Sequence, residues 1–123
     1  MSVMCRRTFL IPIVALFFTV FASASAIAAM PPTINAPIDG SIIPKGPDDL
    51  YCFVSTDMMA TGVAIVYKWT PTGGPTTTTQ TNMGHIGGPY WQQNMGKYQV
   101  PGTLVITITD SFGATKKSTV TIR

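Results

Sequence analysis

Residues 103–122 read TLVITITDSFGATKKSTVTI, and this stretch decides the fold. Apolar and polar residues alternate on both sides of residues 110–113, a period that is typical of strands burying one face. Gly113 can adopt the positive φ that a tight hairpin turn needs. The stretch therefore predicts two antiparallel strands with an apolar inner face and a threonine-rich outer face.

The first 28 residues differ in character from the rest of the chain. A short basic segment, MSVMCRR, precedes an apolar run over residues 8–21, and small residues with A-x-A spacing follow as far as Ala28. This order is typical of a secretory signal peptide, and the run is shorter than the ~20 apolar residues of a membrane-spanning helix. An uncleaved anchor is the alternative. We expect export to the periplasm or the extracellular space, with no membrane span after cleavage.

Beyond the leader, short alternating runs are separated by Gly, Pro, Asn and Asp. Ten prolines and eleven glycines interrupt the chain too often for helices. We count about seven strands, at spacings that an immunoglobulin-like β-sandwich requires. The sequence predicts an all-β fold, with one sandwich domain over residues 29–123.

The core of this sandwich can be predicted from the alternation. In VAIVYKWT, Trp69 shares a face with Val63, Ile65 and Tyr67 and is expected to be the core tryptophan of the third strand. The other expected core residues lie on the second, sixth and last strands: Leu50, Cys52, Val54, Leu104, Ile106, Ile108, Val120 and Ile122. Because Cys5 belongs to the leader, Cys52 has no partner for an internal disulfide and is expected to be a buried thiol, with intermolecular pairing as the alternative.

The order VSTD, TGVAIVYKWTPTGG, YW, then VITITDSFGATKKSTVTI resembles secreted bacterial immunoglobulin-like domains, including the polycystic-kidney-disease type. The resemblance covers most of residues 29–123 and implies a sandwich fold. Such domains serve as spacers, adhesive tips, carbohydrate-associated modules and parts of envelope assemblies, so the resemblance does not select one function.

Charge and catalytic motifs exclude several functions. Without the leader, six Lys and Arg residues stand against five Asp, and the only basic pair is Lys116–Lys117, so we expect no nucleic-acid binding. The chain contains no Glu, most Asp residues sit in turn-like contexts, and His85, its single histidine, lies in no nucleophile motif. The sequence therefore predicts a protein that is not an enzyme and has no cofactor.

The segment HIGGPYWQQNMGKY carries the candidate binding residues. Aromatic rings stack on sugar rings and amides bond sugar hydroxyls, so we predict ligand contact by Tyr90, Trp91, Gln92 and Asn94, with His85 nearby. Trp91 is alternatively a core residue of the fifth strand, in which case Tyr90 and Gln92 point outward. The predicted partner is an envelope or extracellular glycan or protein.

The function predicted from sequence is that of an exported, non-catalytic recognition or structural module of the cell envelope. A periplasmic copper or other metal carrier is the alternative, because the thioether of Met83 and the imidazole of His85 together suit Cu(I).

Overall fold

The computed structural model describes residues 29–123. It contains nine strands and, within this range, no helix: β1 (Thr33–Ala36), β2 (Ile42–Ile43), β3 (Asp49–Ser55), β4 (Val63–Pro71), β5 (Thr77–Asn82), β6 (Gly84–Gly87), β7 (Tyr90–Lys97), β8 (Gly102–Asp110) and β9 (Thr115–Ile122). No helix in the described part of the chain is long and apolar enough to span a membrane. The predicted signal peptide of residues 1–28 lies outside the described residues.

The strands form two sheets, so the predicted all-β sandwich is confirmed. One sheet has four strands in the order β1-β3-β7-β6, and the other has five in the order β2-β9-β8-β4-β5. Neighbouring strands are antiparallel except for β2, which pairs with β9 in parallel. Nine strands replace the expected seven or so because a short strand such as β6 carries too little sequence pattern to be recognised.

The hairpin of β8 and β9 forms as expected. The two strands pair in unbroken register from Gly102 opposite Ile122 to Thr109 opposite Thr115. Gly113 has a φ of 86°, and Asp110 Oδ1 accepts hydrogen bonds from the backbone N–H groups of Phe112 and Ala114. The turn is thus fixed by one carboxylate and one glycine.

Residues from both sheets fill a single core. The buried apolar side chains are Cys52, Val54, Val63, Ile65, Met83, Trp91, Met95, Tyr98, Leu104, Ile106, Ile108, Val120 and Ile122. The expected burial of Cys52 is confirmed, since its side chain is fully enclosed. Alternation predicted most of this set, because each inward residue of β3, β8 and β9 stands two positions from the next.

The tryptophan assignment is the exception. Trp91 on β7 is 6% exposed and belongs to the core, whereas Trp69 is only partly buried at its margin. Trp69 lies near the end of β4, where it packs edge-to-face on Tyr98 with ring centroids 4.8 Å apart. The expectation that Trp69 is the central core tryptophan is therefore corrected: Trp91 has that place.

Candidate functional site

The outward face of the four-stranded sheet carries a pair of aromatic rings. Cys52 and Val54 point into the core from β3, so alternation turns Tyr51 and Phe53 outward. Their ring centroids are 6.2 Å apart and their planes differ by 25°. Each residue is 38% exposed, so both rings are held by neighbours and still open to solvent.

Strand β7 adds further residues to the same face. Its register places Asn94 opposite Tyr51 and Gln92 opposite Phe53. Tyr90, opposite Ser55, extends the row and is 53% exposed. We call the set of Tyr51, Phe53, Tyr90, Gln92 and Asn94 the aromatic face.

The polar groups of the aromatic face are partly fixed. Asn94 Nδ2 donates to Asp49 Oδ2 at 3.1 Å, and Asn94 Oδ1 accepts from the backbone N–H of Gly96 at 2.8 Å. Gly84 of β6 stands opposite Gln92 and has no side chain to cover it. The five members carry no charge at neutral pH, and the exposed Asp49 carboxylate borders the face two positions before Tyr51 on β3.

The remaining two candidates from the sequence lie on the other side of the sheet. Trp91 Nε1 donates to Thr56 Oγ1 at 2.9 Å in the interior. The ring of His85 packs against the Trp91 ring, with centroids 4.4 Å apart, and its Nε2 lies 2.7 Å from the carbonyl oxygen of Gly88. The structure thus brings Tyr90, Gln92 and Asn94 together and separates Trp91 and His85 from them. The core interpretation of Trp91 is confirmed.

Tyr51 and Phe53 are not among the binding residues predicted from the sequence. The signal was present, because placing Leu50, Cys52 and Val54 inside leaves the two intervening rings outside. What the sequence pattern does not contain is the pairing of β3 with β7, which puts these rings beside the amides of a strand some forty positions further along the chain.

Met83 and His85, the residues of the predicted copper site, have different surroundings. Within residues 29–123, no three or more His, Cys, Asp or Glu side chains are grouped so that they could hold a metal ion. Met83 is buried in the core, and His85 is packed against Trp91. The copper-binding role of this pair stays a prediction.

A cavity of about 400 Å³ opens at the end of the sandwich beside Trp91 and Asp110. Asp110 is 5% exposed; its Oδ1 belongs to the hairpin turn, and its Oδ2 has no hydrogen-bond partner within residues 29–123. Among residues 29–123, Asp110 is the one carboxylate in the lining of this cavity.

No protein-family model matches the sequence, and no curated protein shows significant similarity to it. Among solved structures, similar chains include three of superoxide reductase (neelaredoxin) from Ignicoccus hospitalis, two of them single-residue variants. One variant chain is 14% identical, with a TM-score of 0.47, and the match covers 80% of this chain and 85% of that one. The chain without a substitution is 12% identical, with a TM-score of 0.46 and coverage of 77% and 82%. The other variant chain is 15% identical, with a TM-score of 0.46 and coverage of 83% and 87%.

These neighbours correct the function predicted from the sequence. They are enzymes, and they contradict the prediction of a non-catalytic module and the statement that the protein is not an enzyme. At such identities and TM-scores the likeness assigns no activity to this chain. The resemblance to polycystic-kidney-disease-type domains stays a prediction.

Proposed function

We propose that the aromatic face binds a neutral saccharide. The observation that carries the proposal is the side-by-side placement of the Tyr51 and Phe53 rings with the amides of Gln92 and Asn94. A sugar ring presents C–H groups on its flat faces and hydroxyls around its edge. Aromatic rings pack on the C–H groups, and amides, which both donate and accept hydrogen bonds, bind the hydroxyls.

Charge and shape favour this ligand class. The five side chains of the aromatic face are uncharged, and the carboxylate at its border, Asp49, already accepts a hydrogen bond from Asn94. The absence of a side chain at Gly84 leaves the surface beside Gln92 open, and Tyr90 extends the aromatic surface at its end. A shallow, uncharged face of this kind suits an extended chain of neutral sugars.

Binding at this face neither requires nor excludes a catalytic centre elsewhere in the chain. Export, predicted from the leader, would place the face among the glycans of the periplasm or the cell exterior.

Affinity electrophoresis through gels containing soluble β-glucan, xylan or galactomannan tests the proposal. At least one polysaccharide should retard the protein, and the double variant Tyr51→Ala, Phe53→Ala should lose most of this retardation. Each stacked ring contributes about 0.5–1.5 kcal/mol, which amounts to a combined loss of at least several-fold in affinity.

Phe112→Ala is the matched control, because Phe112 is an exposed aromatic in the hairpin turn of the other sheet. It should leave the retardation unchanged. Equal losses in Phe112→Ala and in the double variant would contradict the proposal, as would normal migration of the unaltered protein in all three gels.

A further inference from the structure

A groove of about 230 Å³ lies on the inner side of β4 and β5, where the end of β7 leaves the sandwich open. Its lining includes three aromatic residues, two threonines and one lysine: Tyr67, Trp69, Tyr98, Thr77, Thr79 and Lys97. The aromatic face lies on the outward side of its sheet, so the groove is a separate surface.

The aromatic wall of the groove is held in place by the core. Trp69 packs edge-to-face on Tyr98, and the Tyr98 hydroxyl donates to the carbonyl oxygen of Met95 at 2.7 Å. Burial and the neighbouring Tyr67 raise the pKa of Tyr98 well above its ordinary value, so its phenol remains neutral. Tyr67 and Trp69 are only partly buried and present ring surface to the groove.

Hydroxyl groups stand directly beside these rings. The register of β4 and β5 places Thr79 opposite Tyr67 and Thr77 opposite Trp69. Both threonines are exposed, because β5 is the edge strand of its sheet. The groove therefore pairs a ring surface with a row of donors and acceptors.

A positive charge completes the lining. Among the described residues that line the groove, Lys97 alone is charged at neutral pH. Asp49 stands opposite Lys97 in the register of β3 and β7, and its Oδ2 accepts the amide of Asn94, a member of the aromatic face. An anionic ligand would thus meet the lysine without a carboxylate in the groove lining.

We propose that this groove binds a uronate, a pyranose ring that carries a carboxylate. The C–H face of the ring would pack on Trp69 and Tyr67, its hydroxyls would bond Thr77 and Thr79, and its carboxylate would pair with Lys97. A planar aromatic acid would pack on the rings and pair with the lysine, but it would make no bond to the threonine hydroxyls, which are exposed and would stay bonded to water. A uronate is favoured because it matches the aromatic rings, the threonine hydroxyls and the positive charge of Lys97.

Titration of the ¹⁵N-labelled protein with sodium glucuronate at low ionic strength tests the proposal. The Trp69 indole resonance and the amides of β5 should shift. Lys97→Gln removes the charge and keeps most of the length of the side chain, and it should weaken binding about two- to fivefold, the value of an exposed ion pair. Lys68→Gln is the matched control, because Lys68 lies on the opposite side of β4, and it should bind normally.

One further variant and two further ligands, benzoate and glucose, define the ligand class. Thr79→Val should weaken glucuronate binding and leave benzoate binding unchanged, and glucose should bind more weakly than glucuronate. The proposal is overturned if glucuronate leaves the Trp69 resonance unmoved, if both lysine variants lose affinity equally, or if benzoate binds as tightly as glucuronate. Loss of glucuronate binding on removal of the Tyr51 and Phe53 rings, with the Lys97 variant unaffected, would place the acidic sugar on the aromatic face instead.

Discussion

The indole of Trp91 and the hydroxyl of Thr56 form a buried hydrogen bond of 2.9 Å between Nε1 and Oγ1. The same hydroxyl donates to the carbonyl oxygen of Asp57 at 3.0 Å. Thr56 follows the end of β3, and Trp91 lies near the start of β7, so the bond fixes the end of the strand pair that carries the aromatic face. Because the indole N–H is buried, it depends on the Thr56 hydroxyl for its partner.

Thr56→Val should therefore destabilise the protein. Valine keeps the volume but leaves the indole N–H unpaired in the interior, which costs about 1–3 kcal/mol. Urea unfolding followed by tryptophan fluorescence measures the loss. Thr121→Val, an exposed threonine on β9, is the control and should change the free energy of unfolding by less than about 0.5 kcal/mol. Equal effects of the two substitutions would contradict a structural role for this bond.

The Cys52 thiol should make stability fall at high pH. Burial raises the pKa of Cys52 to about 12, so the thiol stays protonated in the folded protein while the unfolded chain releases its proton from about pH 9 upward. The stabilising effect is fully present below the unfolded pKa and is lost as the pH rises toward 12. The loss should reach about 1 kcal/mol at pH 10.

Comparison with Cys52→Ala isolates this effect, since the tyrosine and lysine contributions are common to both proteins. The free energy of unfolding, measured at about pH 7 and about pH 10, should drop more in the unaltered protein than in the variant. Parallel declines in the two proteins would show that the thiol is not protected by burial.

Gly102 should not tolerate a side chain. A Cβ at this position would lie 2.6 Å from the Trp69 ring and 2.8 Å from the Cα of Pro71, and it would also meet the carbonyl oxygen of Thr70. Gly102→Ala should cost about 1–3 kcal/mol through overpacking between β8 and β4. Gly46→Ala meets no atom within 4 Å and should be nearly neutral. Thermal melting of both variants checks the difference, and a neutral Gly102→Ala would contradict this packing.

Much of the fold was predictable because alternation is a local property. It identified the hairpin of β8 and β9 and the inward side of β3, where Cys52 and Val54 lie. It could not decide between Trp69 and Trp91 for the core, since both obey the alternation of their strands. Their burial depends on which part of each strand the opposite sheet covers.

The candidate site was less predictable for the same reason. The Gln92 and Asn94 amides were recognised as ligand-binding types from the chain, but their aromatic neighbours come from β3. The separation of His85 from Tyr90 follows from the pairing of β6 with β7, which sets His85 opposite the inward Trp91. Such long-range register is fixed by the whole sheet rather than by any one segment.

Asp110 should stabilise the hairpin turn through one oxygen. Its Oδ1 accepts the N–H groups of Phe112 at 2.9 Å and Ala114 at 3.0 Å. Asp110→Ala removes both bonds and should cost about 1–3 kcal/mol. Asp110→Asn keeps the accepting oxygen and should retain more stability than alanine. Chemical denaturation gives the free energy of unfolding of both variants. A lower stability of the asparagine variant than of the alanine variant would show that the buried Oδ2, and not the turn, makes aspartate necessary at this position.

The proposed saccharide binding is tested most directly by ¹H–¹⁵N mapping of the polysaccharide that retards the protein, supplied as short oligosaccharides. If the saccharide binds the aromatic face, the perturbed amides should cluster on β3 and β7, with the side-chain amide of Gln92 among the largest shifts. Perturbations confined to the threonine-rich outer face of β8 and β9, with Gln92 unmoved, would contradict the proposal.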